Sequence, residues 1–321
     1  MTFATRVADP VMSRSNGVGL EGQAIYLDHF GLKRQPFRLT PGIDCFYEGA
    51  ERGRILTAMA YALVHGDGII MLTGEIGSGK STLAGVLMAR ASSRIKFIYV
   101  ANPSLEPREL LEVMADELSL GHLADSPNTT LTRHIQKRLI ALHAGGRQVV
   151  MLVDEAQAMP VSTLQQLRLM SNLETSVQKL LQVVLVGQPE LDDVLAQPQL
   201  RPLRERIAHS FRVKPLTEAD IRRYLTYRIR QAGGDPGIFD GAAASAVSRN
   251  AKGIARRVNL IADKCLLSAY MDGSNHVNRD HVREALADVA FQFDIDPSEF
   301  QTRQRGIFPN ALLNWFVPAR S

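Results

Sequence analysis

The sequence has too few cysteines, and apolar runs that are too short, for several large classes of protein. Its two cysteines, Cys45 and Cys265, are far apart, which argues against a disulfide framework or a cysteine zinc site. Its best apolar runs, Gly68–Thr73 and Val149–Val153, fall well below the ~20 residues of a membrane-spanning helix. Residues 1–24 lack the apolar centre of a signal peptide. We therefore expect a cytosolic globular protein without a transmembrane segment.

Several catalytic motifs are also missing, and the charge is only mildly basic. The chain contains no HExxH, no GxSxG and no calcium-binding loop, and its net charge is +4. The basic excess is local, because nine Lys or Arg residues stand against three Asp or Glu residues between Arg201 and Arg230. Such a segment is typical either of a surface that faces phosphate or nucleic acid, or of a solvated helix face with intrahelical ion pairs.

The order of the sequence patterns predicts an α/β fold followed by a helical region. Strand-like runs alternate with helical patterns up to Val213, which is typical of a doubly wound parallel sheet. One of these helical patterns covers Glu190–Ile207. After Val213 only helical patterns follow, and Thr217 and Asp220 form a capping box before the first of them. The predicted strands are Gly68–Thr73, Ile95–Ala101, Gln148–Asp154, Leu181–Gly187 and Ser210–Val213.

A length of 321 residues is consistent with two domains of ~150 residues each. We predict an α/β domain at 25–215 and a small all-helical domain at 216–290. The remaining residues are predicted to be a mobile N-terminal tail at 1–24 and an irregular C-terminal tail at 291–321. The C-terminal tail contains a short apolar cluster around Trp315, which we expect to pack on its own domain.

A glycine-rich loop that matches G-x-x-x-x-G-K-[ST] follows the first predicted strand and precedes a helix. Such a loop turns backbone amides toward phosphate oxygens, and the helix adds its positive N-terminal end. Lys80 is expected to reach the β- and γ-phosphates of ATP, and the Ser81 hydroxyl to bind Mg²⁺. The predicted nucleotide-binding residues here are Gly74, Glu75, Ile76, Gly77, Ser78, Gly79, Lys80, Ser81 and Thr82.

Two adjacent carboxylates follow the predicted strand at Gln148–Asp154. Asp154 is placed to hold the Mg²⁺ shell, which is the Walker B role, and Glu155 to orient and deprotonate the attacking water. An additional strand-like run lies between this motif and the phosphate loop, as in ATPases whose water is activated by a glutamate beside Walker B. Gln188 ends the next strand, and we expect it to contact the γ-phosphate or the water as a sensor.

Several arginines are candidates for contact with phosphate. Arg201, Arg204 and Arg206 precede the last predicted strand, where one of them could stabilise the transition state of a neighbouring subunit. Arg256 opens a helix of the second domain and could reach back to the nucleotide. Taken singly, each of these arginines also fits a solvated surface.

The joint pattern over roughly residues 25–270 resembles the general secretion pathway protein A (ExeA-type) AAA+ ATPases. Segments at both ends of the predicted α/β domain contribute to the resemblance, together with the phosphate loop. The segments that carry it are Tyr26–Pro41, Phe46–Tyr47, Gly74–Ser81, Val153–Gln157, Val186–Leu191, Leu203–Ile207 and Pro215–Leu216.

The resemblance implies an AAA+ P-loop core with a five-stranded parallel sheet in the order 5-1-4-3-2, a helical lid and nucleotide-dependent oligomers. It implies that Arg206 is the arginine finger acting in trans, that Arg256 is the sensor-2 arginine, and that residues Pro36–Thr40 lie near the adenine. One departure concerns the next helix, where Arg52 and Arg54 replace the acidic, histidine-bearing start usual in the family.

Three functions are open at this point. The first is an ATP-hydrolysing AAA+ enzyme of a short stand-alone type, which energises or regulates the assembly of a cell-envelope export, pilus or exopolysaccharide system. Such a homo-oligomer would be cytoplasmic or peripheral at the inner membrane. The second is a DNA-binding ATPase regulator of the transposition TniB/TnsC kind, supported by the basic segment at 201–230. The third is a slow, nucleotide-gated scaffold.

Overall fold

The computed structural model of the chain describes residues 25–39, 42–66, 68–121, 126–174 and 179–293. The predicted tail at 1–24 and the apolar cluster around Trp315 lie outside these residues. Within the described residues, no helix is both long enough and apolar enough to cross a membrane.

A single parallel sheet of five strands forms the centre of the α/β part, in the order β2-β3-β4-β1-β5. Read from the opposite edge, this is the predicted order 5-1-4-3-2, which is therefore confirmed. The inner strands β1, β3 and β4 are buried almost throughout, as expected for a sheet covered on both faces by helices. The strands are β1 (Ile69–Gly74), β2 (Ile95–Val100), β3 (Gln148–Val153), β4 (Leu181–Gly187) and β5 (Ile207–Val213).

The helices of the α/β part connect these strands and cover both faces of the sheet, with two separate apolar clusters, one on each face. They are α1 (Arg52–His65), α2 (Lys80–Arg90), α3 (Pro107–Glu117), α4 (Asn128–Ala144), α5 (Val161–Ser171), α6 (Glu190–Ala196) and α7 (Arg201–Arg204).

The prediction of one helix over Glu190–Ile207 is wrong. Helix α6 ends at Ala196, and α7 is a separate short helix that ends at Arg204. Pro198 and Pro202 lie inside the predicted span, and a proline lacks the amide that a continuous helix requires. Between α6 and α7 the chain forms a 3-10 turn at Pro198–Leu200, and it enters β5 at Ile207, three residues earlier than the predicted strand.

Up to residue 293, where the described part of the chain ends, four helices follow β5: α8 (Glu218–Gln231), α9 (Gly241–Ala251), α10 (Ala255–Met271) and α11 (Arg279–Phe293). The predicted capping box is confirmed, because the Thr217 hydroxyl accepts a hydrogen bond from the Asp220 amide and the Asp220 carboxylate accepts one from the Thr217 amide. Helix α11 runs past residue 290, so the first residues of the predicted irregular tail are helical.

The N-terminal segment packs with these four helices and not with the sheet. Tyr26, Phe30 and Phe37 are buried in the apolar cluster formed by helices α8 to α11. The Tyr26 hydroxyl donates a hydrogen bond to Asp263 of α10, and Gln35 donates to the same carboxylate at 2.9 Å. The domain boundary predicted at residue 216 therefore assigns this segment to the α/β domain, although its side chains complete the apolar core of the helical domain.

Candidate functional site

The glycine-rich loop connects β1 to α2 at the carboxyl edge of the sheet. Gly77 and Gly79 have positive φ angles of 76° and 98°, a region that favours glycine. At Gly77 the lid helix α10 also comes close, because the Arg256 amide donates to the Gly77 carbonyl at 3.0 Å. A Cβ atom on Gly77 would lie 2.7 Å from the Arg256 Cβ, so only glycine fits. Arg256 is thus placed against the predicted phosphate loop.

Lys80 lies at the start of α2 and is buried, with 4% of its surface exposed. Its ammonium donates to the Glu75 carbonyl at 3.0 Å, across the mouth of the loop. Burial lowers the pKa of Lys80, while the charges of Glu155 and Asp154 oppose this shift. The Ser78 hydroxyl is buried close by and has no hydrogen-bond partner among the residues that the structure describes. A partly desolvated cation beside an unsatisfied hydroxyl is an arrangement that fits an anionic ligand.

Asp154 and Glu155 follow β3 on the same edge of the sheet. Each Asp154 oxygen accepts one hydrogen bond: Oδ1 from the Glu155 amide at 2.9 Å and Oδ2 from the Tyr99 hydroxyl at 3.2 Å. Glu155 has a positive φ of 51°, which turns the chain sharply after the strand. The two carboxylates therefore have different orientations although they are adjacent in the sequence.

Glu155 is held by two glutamines. Gln188 and Gln157 both donate to its Oε2, at 2.9 and 2.7 Å. Burial raises the pKa of Glu155, but these two hydrogen bonds and the Lys80 charge outweigh it, so the pKa lies below its ordinary value. The other carboxylate oxygen, Oε1, accepts no hydrogen bond from the described residues. Glu155 is therefore a fixed, ionised carboxylate with one oxygen available to a water molecule.

A cavity of about 320 Å³ extends from the loop between the α/β part and the helical part. Glu155, Lys80 and Arg256 line one side of it, together with the loop residues from Ile76 to Thr82. Leu39 also lines the cavity, so part of the segment predicted to lie near adenine does border it; Thr40 lies outside the described residues. The other lining residues are Cys45, Phe46, Tyr47, Arg52, Tyr224, Arg228, Ala255 and Asn259.

Arg52 is a site residue that the sequence patterns do not predict. It is 6% exposed, and its guanidinium donates to the Ser78 carbonyl of the loop at 3.2 Å. Among the described residues, no carboxylate lies within ion-pair distance of it. The unusual residue type at the start of α1 is visible in the sequence, but its burial against the loop depends on how α1 packs.

A buried polar network on the helical side was also not predicted. The Arg228 guanidinium donates to the Pro36 carbonyl at 2.7 Å and to the Tyr224 hydroxyl at 2.9 Å. Tyr224 donates in turn to Asn259 at 2.8 Å, and Asn259 donates to the Arg38 carbonyl. The network connects the N-terminal segment to α8 and α10 beside the cavity. It also removes Arg228 from the basic surface suggested by the sequence.

The predicted finger Arg206 lies at the other edge of the sheet. Its carbonyl accepts a hydrogen bond from the Ile69 amide at 3.1 Å, at the amino end of β1. The loop begins at Gly74, at the carboxyl end of the same strand, which at ~3.3 Å per residue is about 16 Å away. Arg206 is therefore remote from Lys80 of its own chain and is not brought together with the other predicted site residues.

Most cations of the basic segment at 201–230 are paired. Three of these ion pairs lie within helices or their caps, as in the solvated-face interpretation, and two link separate elements. The pairs are Arg201–Glu205, Arg212–Asp192, Lys214–Glu51, Arg222–Glu218 and Arg223–Asp220.

No group of three or more His, Cys, Asp or Glu side chains that could hold a metal ion occurs in the described part of the chain. A site of Ser81 and Asp154 would supply only two protein oxygens. Such a sparse set suits Mg²⁺, which keeps several waters and commonly binds through one or two protein ligands plus the phosphates of a substrate.

The sheet order, the phosphate loop and the following helices define a P-loop ATPase fold of the AAA+ class. Residues 64–195 match the family model described as an AAA domain. It is similar to general secretion pathway protein A of Aeromonas hydrophila, with 38% identity over 266 residues, or 83% of this chain. The chain spans about half of that relative, 49% of its length.

Solved structures share the fold at low sequence identity. The ORC1 protein of Aeropyrum pernix in complex with DNA has a TM-score of 0.59 and 20% identity, with 80% of this chain and 69% of that chain covered. The RuvB Holliday junction branch migration motor of Thermotoga maritima has a TM-score of 0.51 and 14% identity, with coverages of 88% and 93%. At these identities the likeness concerns the fold alone.

Proposed function

We propose that the chain binds ATP with Mg²⁺ and hydrolyses it to ADP and phosphate. The observation that carries this proposal is the convergence of the glycine loop, buried Lys80 and the fixed carboxylate Glu155 on one cavity. The loop amides and Lys80 would hold the phosphates, and Arg256 would contact them from the lid. Ser81 and Asp154 would hold Mg²⁺, which neutralises charge that develops on the phosphate oxygens.

Glu155 would act as the general base toward the attacking water. It is ionised at neutral pH because its pKa lies below the ordinary value, and Oε1 is the oxygen that would receive the proton. Gln188 and Gln157 fix the opposite oxygen and so set the direction of Oε1. Gln188 would report on the γ-phosphate through this contact, as proposed for a sensor.

We further propose that hydrolysis takes place between subunits of a homo-oligomer. Arg206 cannot reach the loop of its own chain, because the length of β1 lies between them. If the amino edge of the sheet in one copy faces the nucleotide cavity of the next copy, Arg206 of the first copy would contact the γ-phosphate bound by the second. A guanidinium suits this position since its fork of donors matches spread phosphate charge.

The similarity to general secretion pathway protein A supports a role in assembling or regulating a cell-envelope export system. That similarity also supports a location in the cytoplasm or at the inner face of the inner membrane. The DNA-binding alternative has less support than the sequence suggests, because the basic segment is largely neutralised by carboxylates.

The substitution Glu155→Gln tests the proposed hydrolysis. The amide keeps the shape of the side chain but is not a competent base, so turnover should fall by ~10²–10⁴-fold. ATP affinity, measured by titration with a fluorescent ATP analogue, should stay within a few-fold of the unmodified protein. Glu117→Gln, at an exposed position on α3, is the matched control and should retain full turnover. Near-normal turnover in Glu155→Gln would assign the base to another group.

A further inference from the structure

The exposed side of α4 is basic, and no carboxylate belongs to it. Between Asp125 and Asp154 the sequence contains no Asp or Glu, and α4 lies within this run. The helix buries Leu131, Ile135, Leu139 and Leu142 on one side. At 100° per residue, Arg133, Lys137 and Ile140 lie on the opposite side, and all three are exposed.

Two more exposed arginines lie where α4 leads into β3. Arg147 follows the helix directly, and Arg94 is beside it because the next amide, that of Gln148, donates to the Arg94 carbonyl at 3.0 Å. We call Arg94, Arg133, Lys137 and Arg147, with Ile140 among them, the basic stripe. It includes none of the residues that line the nucleotide cavity.

The basic stripe differs from the basic segment at 201–230 in how its charges are balanced. None of its four cations forms an ion pair within 4.0 Å in the part of the chain that the structure describes. The neighbouring helix α3 carries four carboxylates: Glu112 pairs with Arg108 of the same helix, Glu109 caps the helix, and Asp116 and Glu117 form no ion pair with the stripe. The field of the stripe is therefore not cancelled by internal partners, and it can attract an anionic surface.

The exposed side chain of Ile140 indicates which kind of anionic surface the basic stripe binds. Its side chain is 46% exposed at the centre of the cationic side of the helix. An apolar side chain among cations can enter the headgroup region of a bilayer while the cations meet anionic lipids. A nucleic-acid backbone offers phosphates but no apolar complement at that position. We propose that the basic stripe is a docking surface for an anionic lipid bilayer.

Vesicle flotation with the full chain tests this proposal directly. The protein should float with vesicles of phosphatidylcholine and phosphatidylglycerol and not with phosphatidylcholine alone, and the bound fraction should fall as salt rises. Each Lys or Arg near such a surface contributes about fivefold in partitioning. The double variant Arg133→Gln, Lys137→Gln should therefore bind about 30-fold more weakly. Ile140→Ser should weaken vesicle binding without changing the net charge.

The matched control is Arg222→Gln, Arg223→Gln, which removes the same charge from cations that are already paired on α8. It should bind vesicles as the unmodified protein does, and thermal melting should show that both double variants fold. Equal losses in the two double variants would overturn the proposal, because net charge alone would explain them. Binding to duplex DNA that depends on Arg133 and Lys137 but not on Ile140, without vesicle binding, would make the stripe a nucleic-acid surface instead.

Discussion

Arg52 connects the start of α1 to the phosphate loop through its buried guanidinium. It donates to the Ser78 carbonyl, and Tyr47 and Tyr224 line the same cavity. A hydrogen bond from a charged group contributes ~1.5–3 kcal/mol, more than a neutral one does. We therefore regard Arg52 as a positioning residue for the loop.

Arg52→Ala should weaken ATP binding by ~10–100-fold, because the Ser78 carbonyl loses its charged donor. Arg52→Lys should recover part of this affinity, since the ammonium can reach a single acceptor. Arg54→Ala, in the same helix but exposed, is the control and should leave affinity unchanged. Titration with ATP measures the effect of each substitution on nucleotide affinity. Thermal melting of the nucleotide-free protein measures its effect on stability separately. If the Arg52→Ala protein binds ATP as tightly as the Arg54→Ala protein does, Arg52 does not position the loop.

The residues of the site differ in how far the sequence predicts them. The phosphate loop can be predicted because its chemistry requires glycines, a lysine and a hydroxyl at fixed spacing. Asp154 and Glu155 can be predicted because strand ends are local features. Tyr99 and Asn259 could not be predicted, since only the pairing of β2 with β3 and the packing of α10 bring them to the site.

At the scale of elements, helix boundaries follow local chemistry more closely than periodicity does. The apolar periodicity over Glu190–Ile207 predicts one helix, yet Pro198 and Pro202 divide it. The start of α8 is the opposite case, since Thr217 and Asp220 predict it and the structure contains both hydrogen bonds.

Thr217→Ala should reduce the free energy of unfolding by ~1 kcal/mol, because the Asp220 amide loses its side-chain acceptor. For a protein of 321 residues the melting temperature should fall by about 1–2 °C. Thr129→Ala is the matched control, because Thr129 is exposed in the first turn of α4 and makes no side-chain cap there. Thermal unfolding of both variants checks the prediction. Equal melting temperatures would mean that packing alone fixes the start of α8.

Across the molecule, the sheet separates two sets of groups that the proposed hydrolysis requires. The loop, Glu155 and Gln188 lie at the carboxyl edge, and Arg206 lies at the amino edge. The sheet order could be predicted from the family resemblance, and the distance between the edges follows from strand length. The assignment of the N-terminal segment to the helical core could not, because apolar residues such as Phe30 and Phe37 fit either core equally well.

We propose that one active site is built from two copies of the chain, and mixing two inactive variants tests this proposal. Lys80→Ala removes the cation of the loop, and Arg206→Ala removes the group supplied to the neighbour. Loss of such a finger typically lowers turnover by ~10³–10⁵-fold. Each variant alone should therefore show almost no phosphate release.

In the mixture, some interfaces combine an intact loop from the Arg206 variant with an intact arginine from the Lys80 variant. Steady-state phosphate release should then return in part, and sedimentation should show that the two variants assemble together. No recovery in a mixture that assembles would contradict the assignment of Arg206, and Arg204 and Arg201 would be tested next. The unmodified protein provides a second test, because dilution should separate its subunits. If its turnover per chain stays constant at concentrations where the protein is monomeric, the active site is not shared between subunits.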